Sequence, residues 1–199
     1  INGIGKYGQY KAATMKQHIA EAKFIRAYAY FQLLTIFGDQ ALQGKDDGLG
    51  LVLHLSPYEG YNPDDVAERA TNLTIWNQII SDLKDNIGDL PTAVPDITNR
   101  VRANQTVAKA LLSRVYLYKG TYTSNAEELK LAAQYAGEVL NTSGYTFTSD
   151  SKEYQTLFPR NIYDGSTAAN PTTRSNEIIF FEASRLTEDA YPSGISGYY

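Results

Sequence analysis

The chain contains no cysteine. That excludes disulfides, cysteine nucleophiles and thiolate metal sites, and it fits any compartment. No apolar run approaches the roughly 20 residues of a membrane-spanning helix. No basic segment followed by an apolar one begins at Ile1, as a signal peptide would. Basic charge is scarce: 18 Lys and Arg against 22 Asp and Glu leave a net charge of -4, so nucleic-acid binding is not expected. The only histidines, His18 and His54, have no partner at metal or triad spacing. Ser56 lacks a nucleophile-elbow context, and no glycine-rich loop leads into a helix to cradle a phosphate. Asp46-Asp47-Gly48 and Asp64-Asp65 lack the alternating acids of a calcium-binding loop and read as solvated turns. The two carboxylates of a glycoside hydrolase need not be neighbours in sequence, and no pair stands out here. No catalytic residue, metal ligand or cofactor is therefore nominated, and the chain is not expected to be an enzyme.

Tyrosine is abundant, with 16 against 7 Phe and 1 Trp. A tyrosine joins a broad apolar ring to a polar tip, which suits half-wet contact surfaces. One reading makes these residues helix-packing tyrosines tethered by their hydroxyls. The other makes those in loops a recognition surface for an amphipathic ligand. Sugars qualify, because their CH faces stack on rings while their hydroxyls find polar groups.

The stretch from Met15 to Phe37 has neither Gly nor Pro and predicts a helix over 14–37, with Thr14 as N-cap and Gly38 as stop. Its polar residues are confined to narrow stripes, and Ala, Ile, Leu, Phe and Tyr fill the rest. A helix apolar on most of its circumference is packed from more than one side. On such a helix Glu21, Lys23 and Arg26 read as ion-pairing groups rather than ligand contacts.

Three further helices are expected, over 71–88, 104–119 and 126–141. Ile75, Ile79, Leu83 and Ile87 make one face of the first, and Pro91 closes it. Asn104 caps the second, whose inner face is Val107, Ala108, Leu111, Leu112, Val115, Tyr116 and Tyr118, with Gly120 as its end. The short connection from Gly120 to Asn125 makes the last two antiparallel neighbours. Their order of small and aromatic residues approximates the tetratricopeptide pattern, although no strict repeat recurs. Leu49, Leu51, Leu53 and Leu55 alternate as in a short strand, and Asn62-Pro63 looks like a helix start. Tyr145 and Phe147 suggest a second strand, and Glu177-Ile178-Ile179-Phe180-Phe181-Glu182 is the best strand candidate, over 177–182. The fold class is mainly α: tetratricopeptide-like helix pairs (α/α superhelical) with a few short strands and long loops. One helical domain over 1–199 is expected, truncated at both ends.

Several segments together resemble the SusD/RagB family of outer-membrane nutrient-binding lipoproteins. Glu21-Ala22-Lys23-Phe24-Ile25-Arg26-Ala27-Tyr28-Ala29-Tyr30-Phe31 with Phe37-Gly38-Asp39 is similar to the family's hallmark helix and its Gly-Asp exit. Ile79-Ile80-Ser81-Asp82-Leu83 with Leu90-Pro91 resembles its helix ending in a Leu-Pro pair. Arg102-Ala103-Asn104 leads into Ala108-Lys109-Ala110-Leu111-Leu112-Ser113-Arg114-Val115-Tyr116-Leu117-Tyr118. Ala133, Tyr135, Ala136, Val139 and Gly144-Tyr145 follow, then Phe158 and Asn176-Glu177-Ile178-Ile179-Phe180, all in the family's order. The region 39–61 fits the pattern poorly.

The resemblance implies a cell-surface glycan-binding protein for starch or other polysaccharide. It would be held to the outer membrane by an N-terminal lipid absent from this chain and would act in nutrient uptake with a SusC-like TonB-dependent transporter. Such proteins bind without cleaving. Their sugar contacts are not part of the shared motifs, so the candidate ligand residues are loop aromatics of this sequence: Tyr191, Tyr198, Tyr199, Tyr58 and Tyr61. The same residues also suit packing against further polypeptide. Two other functions stay open, a tetratricopeptide-like protein-interaction module without a sugar ligand and a glycoside-processing enzyme on a helical scaffold.

Overall fold

The computed structural model describes residues 1, 3–4, 10–56, 60, 67–92, 100, 102–147, 177 and 179–180. Among these the architecture is mainly helical, with two short strands. Helix α1 spans Ala12–Phe37 and is preceded by Lys11, which makes no side-chain capping bond. Thr14 thus lies inside the helix instead of capping it, because Ala12, Ala13, Met15, Lys16 and Gln17 sustain helix without a cap. Gly38 does end the helix. Its backbone is extended (φ -69°, ψ 132°) and its N–H donates to Leu34 O at 3.0 Å. A Cβ there would sit 2.7 Å from both Ala41 Cβ and Leu34 O. Space, not a left-handed turn, requires glycine.

A 3-10 turn at Ala41–Gln43 follows, flanked by Gln40 and Gly44 in the left-handed region. Strand β1 (Leu49–Val52) pairs antiparallel with β2 (Arg69–Thr71), Leu49 opposite Thr71 and Val52 opposite Arg69, with an irregular register between. The strand expected from the alternating leucines is therefore shorter and stops before Leu53 and Leu55. Gly48, just before β1, is buried against the Asp39 carbonyl, with Asn72 Nδ2 2.7 Å from where a Cβ would lie. Gly48→Ala should cost about 2 kcal/mol, since the obstructing atom is backbone and must shift; urea unfolding of the variant measures it.

Helix α2 covers Asn72–Lys84, with Thr71 Oγ1 accepting from Thr74 N–H at 3.2 Å as its cap. It ends earlier than the expected 88. A separate 3-10 turn, Ile87–Asp89, carries the chain to Leu90, which is extended ahead of Pro91 as steric clash with the ring demands.

Helix α3 runs over Gln105–Thr123 and α4 over Ala126–Leu140. Gly120 does not end α3. A Cβ on it would meet Glu128 Cβ at 2.9 Å and Leu129 N at 3.3 Å, so it lets α4 approach closely. Ser124, at φ 52°, is where α3 stops. Tyr145 and Phe147 are irregular rather than a strand. Of the strand expected over 177–182, Glu177, Ile179 and Phe180 are described and belong to no strand; Ile179 and Phe180 pack on the core, and the rest lies outside the described residues. The helix start expected at Asn62-Pro63 lies outside them too.

Two antiparallel helix pairs, α1 with α2 and α3 with α4, make the body, and the second is the more extensive contact. One core joins Phe24, Ala27, Phe31 and Leu34 of α1 to Ile75, Trp76, Ile79 and Leu83 of α2 and to Ala108, Leu112 and Val115 of α3. Phe31 is the hub, its ring 6.1 Å from Trp76 and 5.4 Å from Tyr118.

Candidate functional site

Three charges of α1, Glu21, Lys23 and Arg26, tie it to its neighbours. Arg26 reaches across to α2, where Nε lies 2.7 Å from Asp82 Oδ2 and Nη2 lies 2.5 Å from Oδ1. The carboxylate hydrogen bond holds the guanidinium pKa above its already high ordinary value. Gln78 Nε2 donates to the same Oδ1 at 3.0 Å, so the nearly inaccessible carboxylate is well partnered. Lys23 Nζ donates to Asn86 Oδ1 at 2.8 Å. Glu21 accepts from Arg102 Nη2 at 2.5 Å and from Gln17 at 2.9 Å. All three charged residues of the hallmark stretch are thus engaged with neighbouring elements.

The seam between α3 and α4 is a polar ladder. Lys109 pairs with Glu138 at 2.8 Å at one end, and Lys119 pairs with Glu128 at the other. Between them Tyr116 and Tyr135 stack almost parallel, ring centroids 5.9 Å apart, and Ser113 Oγ donates to Ala132 O at 2.9 Å. Burial raises both tyrosine pKa values, so neither hydroxyl is tuned to ionise near neutrality. Hydrogen bonds from Lys109, then Gln134, hold the Glu138 carboxyl below its usual range. These groups set helix register; no nucleophile faces a base among them.

Four sites of order escaped sequence reasoning. Arg69 donates from Nε to Gly50 O at 2.7 Å and from Nη2 to Phe37 O and Leu49 O, both at 2.8 Å, tying the end of α1 to the strand pair. Asn72, fully buried, donates from Nδ2 to Asp39 O at 2.8 Å and Lys45 O at 2.7 Å. Arg100 lies over the Tyr145 ring at 4.5 Å and donates to Gly144 O, while Asn104, the α3 cap, donates to the Tyr145 hydroxyl at 3.3 Å. Tyr30 Oη accepts from the His54 N–H at 2.7 Å. The partners are backbone carbonyls or distant residues, and no spacing encodes them.

The candidate ligand residues Tyr58, Tyr61, Tyr191, Tyr198 and Tyr199 all lie outside the described residues. Tyr58 and Tyr61 belong to the connection that leaves β1 at Val52 and returns at Arg69, and both stems are held, by Tyr30 and by the Arg69 hydrogen bonds. The other three follow Phe180, whose ring packs edge-on against Phe24 at 5.6 Å. The rings of His18 and Tyr10 meet edge to face, their centroids 4.8 Å apart. No group of three or more His, Asp or Glu suited to a metal ion occurs among the described residues. No helix among them is long and apolar enough to cross a membrane.

A family model described as starch-binding, associating with the outer membrane, matches residues 6–117, from before α1 to well within α3. The chain belongs to the SusD-like family. A SusD-like protein of Bacteroides ovatus is 30% identical over 155 residues, covering 76% of this chain and 25% of the relative. Among solved structures, a SusD superfamily protein of Bacteroides thetaiotaomicron superposes with a TM-score of 0.64 at 25% identity, over 79% of this chain and 32% of its own. A laminarin-binding SusD-like protein superposes with a TM-score of 0.59 at 26% identity, over 80% of this chain and 31% of its own. The chain thus spans about a quarter to a third of the length of these relatives. The matched region includes α1, α2 and most of α3, and with them the Arg26–Asp82 pair of this chain.

Proposed function

We propose that this SusD-like chain is part of a cell-surface, outer-membrane lipoprotein that captures glycans for uptake through a SusC-like TonB-dependent transporter, and that it binds them without cleavage. The family match over residues 6–117 carries this reading. The laminarin-binding relative supports a polysaccharide ligand. The use of Glu21, Lys23, Arg26 and the α3–α4 charges in structural pairs favours a binding scaffold over a catalytic one. Residues 1–199 serve as one helical portion of a longer protein. Within it, Tyr58 and Tyr61 on the β1–β2 connection and Tyr191, Tyr198 and Tyr199 after Phe180 are the aromatic ligand platform.

Electrophoresis of the full-length protein through gels containing laminarin, starch or other polysaccharides tests the proposal. Retardation is expected in at least one gel, and replacing Tyr58 and Tyr61 together by Ala should weaken it about tenfold or more, since each lost ring–sugar contact is worth about 1 kcal/mol. Migration unchanged by every polysaccharide would sink glycan binding and favour a protein-interaction module. Release of reducing ends would instead make it a glycoside-processing enzyme.

A further inference from the structure

The negative charge of this chain is gathered in one place. Of its 22 acids and 18 bases, residues 39–69 hold seven and two, and the rest is balanced, 15 against 16. The same stretch forms the β1–β2 pair and carries Tyr58 and Tyr61. Both of its bases are engaged. Lys45 Nζ lies 2.8 Å from Asp39 Oδ2, and Arg69 donates to the carbonyls of Phe37, Leu49 and Gly50. Asp46, Asp47 and Glu68 are exposed and enter no ion pair among the described residues. Backbone bonds fix where they stand. The Asp46 carbonyl accepts from Leu73 N–H at 3.0 Å and the Gly48 carbonyl from Asn72 N–H at 2.9 Å, holding the Asp46-Asp47 turn at one end of the strand pair. Glu68 stands at the other end, beside Arg69, where the connection returns. With four residues in β1, the two ends are about 13 Å apart. The N-terminus of α2 supplies about half a positive charge, too little to balance them.

We infer that this acidic surround selects neutral glycans and excludes polyanionic ones, polyuronates and sulfated polysaccharides. The inference rests on the reading above, in which Tyr58 and Tyr61 meet the ligand. A tyrosine ring stacks on the CH face of a glucan and of a uronate alike, so the rings do not tell the two apart. Charge does. A polyanion crossing the connection passes acids separated by about one to two Debye lengths at physiological salt, and Lys45 and Arg69 already have partners, so neither is left to pair its carboxylates or sulfates. The second tyrosine group is no more basic: Glu182, Glu188 and Asp189 precede Tyr191, with Arg185 alone among them. The acids touch no ligand. They act through their field, which salt weakens.

A matched set of ligands tests this in the full-length protein by titration calorimetry. It comprises the neutral polysaccharide that retards the protein, laminarin or starch, its carboxymethyl derivative, and its hydroxyethyl derivative as a neutral control for bulk. At about 20 mM salt the carboxymethyl form should bind at least about fivefold more weakly than the hydroxyethyl form, and the gap should close to about twofold or less at about 1 M NaCl, where the Debye length is about 3 Å. Asp46→Asn with Asp47→Asn and Glu68→Gln should narrow the low-salt gap and leave binding of the neutral forms unchanged. If that variant does not fold, the salt series on the unmodified protein decides. Equal or tighter binding of the carboxymethyl form at low salt overturns the inference and leaves glycan binding standing, as does retention by polyanions alone. A gap that salt does not close overturns it too, because shape and not charge would then be its cause. Retention by no polysaccharide of either kind sinks the glycan reading and this inference with it.

Discussion

Asp82→Ala is expected to lower stability by about 3 kcal/mol, seen as a fall in urea midpoint with an unchanged slope. The Asp82 side chain is 3% exposed and receives two bonds from Arg26 and one from Gln78. Its removal strands a guanidinium whose side chain is only 19% exposed, and that residual access to water keeps the loss near the lower end for broken buried pairs. Replacing both partners, Arg26→Met with Asp82→Leu, should recover most of it, because neither charge is then left alone. If the double variant is as unstable as the single one, the pair is not where the energy lies.

Trp76→Ala should cost about 4 kcal/mol. Trp76 is 1% exposed and stands where α1 and α2 meet, its indole beside Phe31, which in turn touches Tyr118 of α3. Deleting the ring opens a cavity in the core that joins the three helices. Trp76→Phe should lose less than half as much. Circular dichroism is the suitable probe, because the substitution removes the sole tryptophan.

The α1 hallmark, the α2 apolar face and the Asn104 cap were legible because each depends on residues within a turn or two: Asn104 Oδ1 does accept from Val107 N–H at 2.9 Å. The misreadings have two origins. Gly120 reads as a helix stop until Glu128 is seen against it, and Tyr145 reads as strand until Arg100 and Asn104 are seen holding it. Thr14 reads as a cap although Lys11 precedes the helix. In the first two the deciding neighbour lies elsewhere in the chain; in the third, helix propensity outweighs a cap.

The candidate site is the less legible part. A ring that stacks on sugar and a ring that packs on protein are the same residue type, so composition singled out loop tyrosines without separating these roles. Tyr58 and Tyr61 fall in sequence between β1 and β2, and the described ends of that connection are tied down by Tyr30 and Arg69. The sequence alone determined the helices, the shared core faces and the family, since periodicity and local motifs are written in consecutive residues. Only the tertiary structure decided that Glu21, Lys23 and Arg26 pair with Arg102, Asn86 and Asp82, and that Ile25, Leu33 and Ile36 of α1 stay exposed. Partners far apart in the chain meet through packing, and no local pattern states which ones.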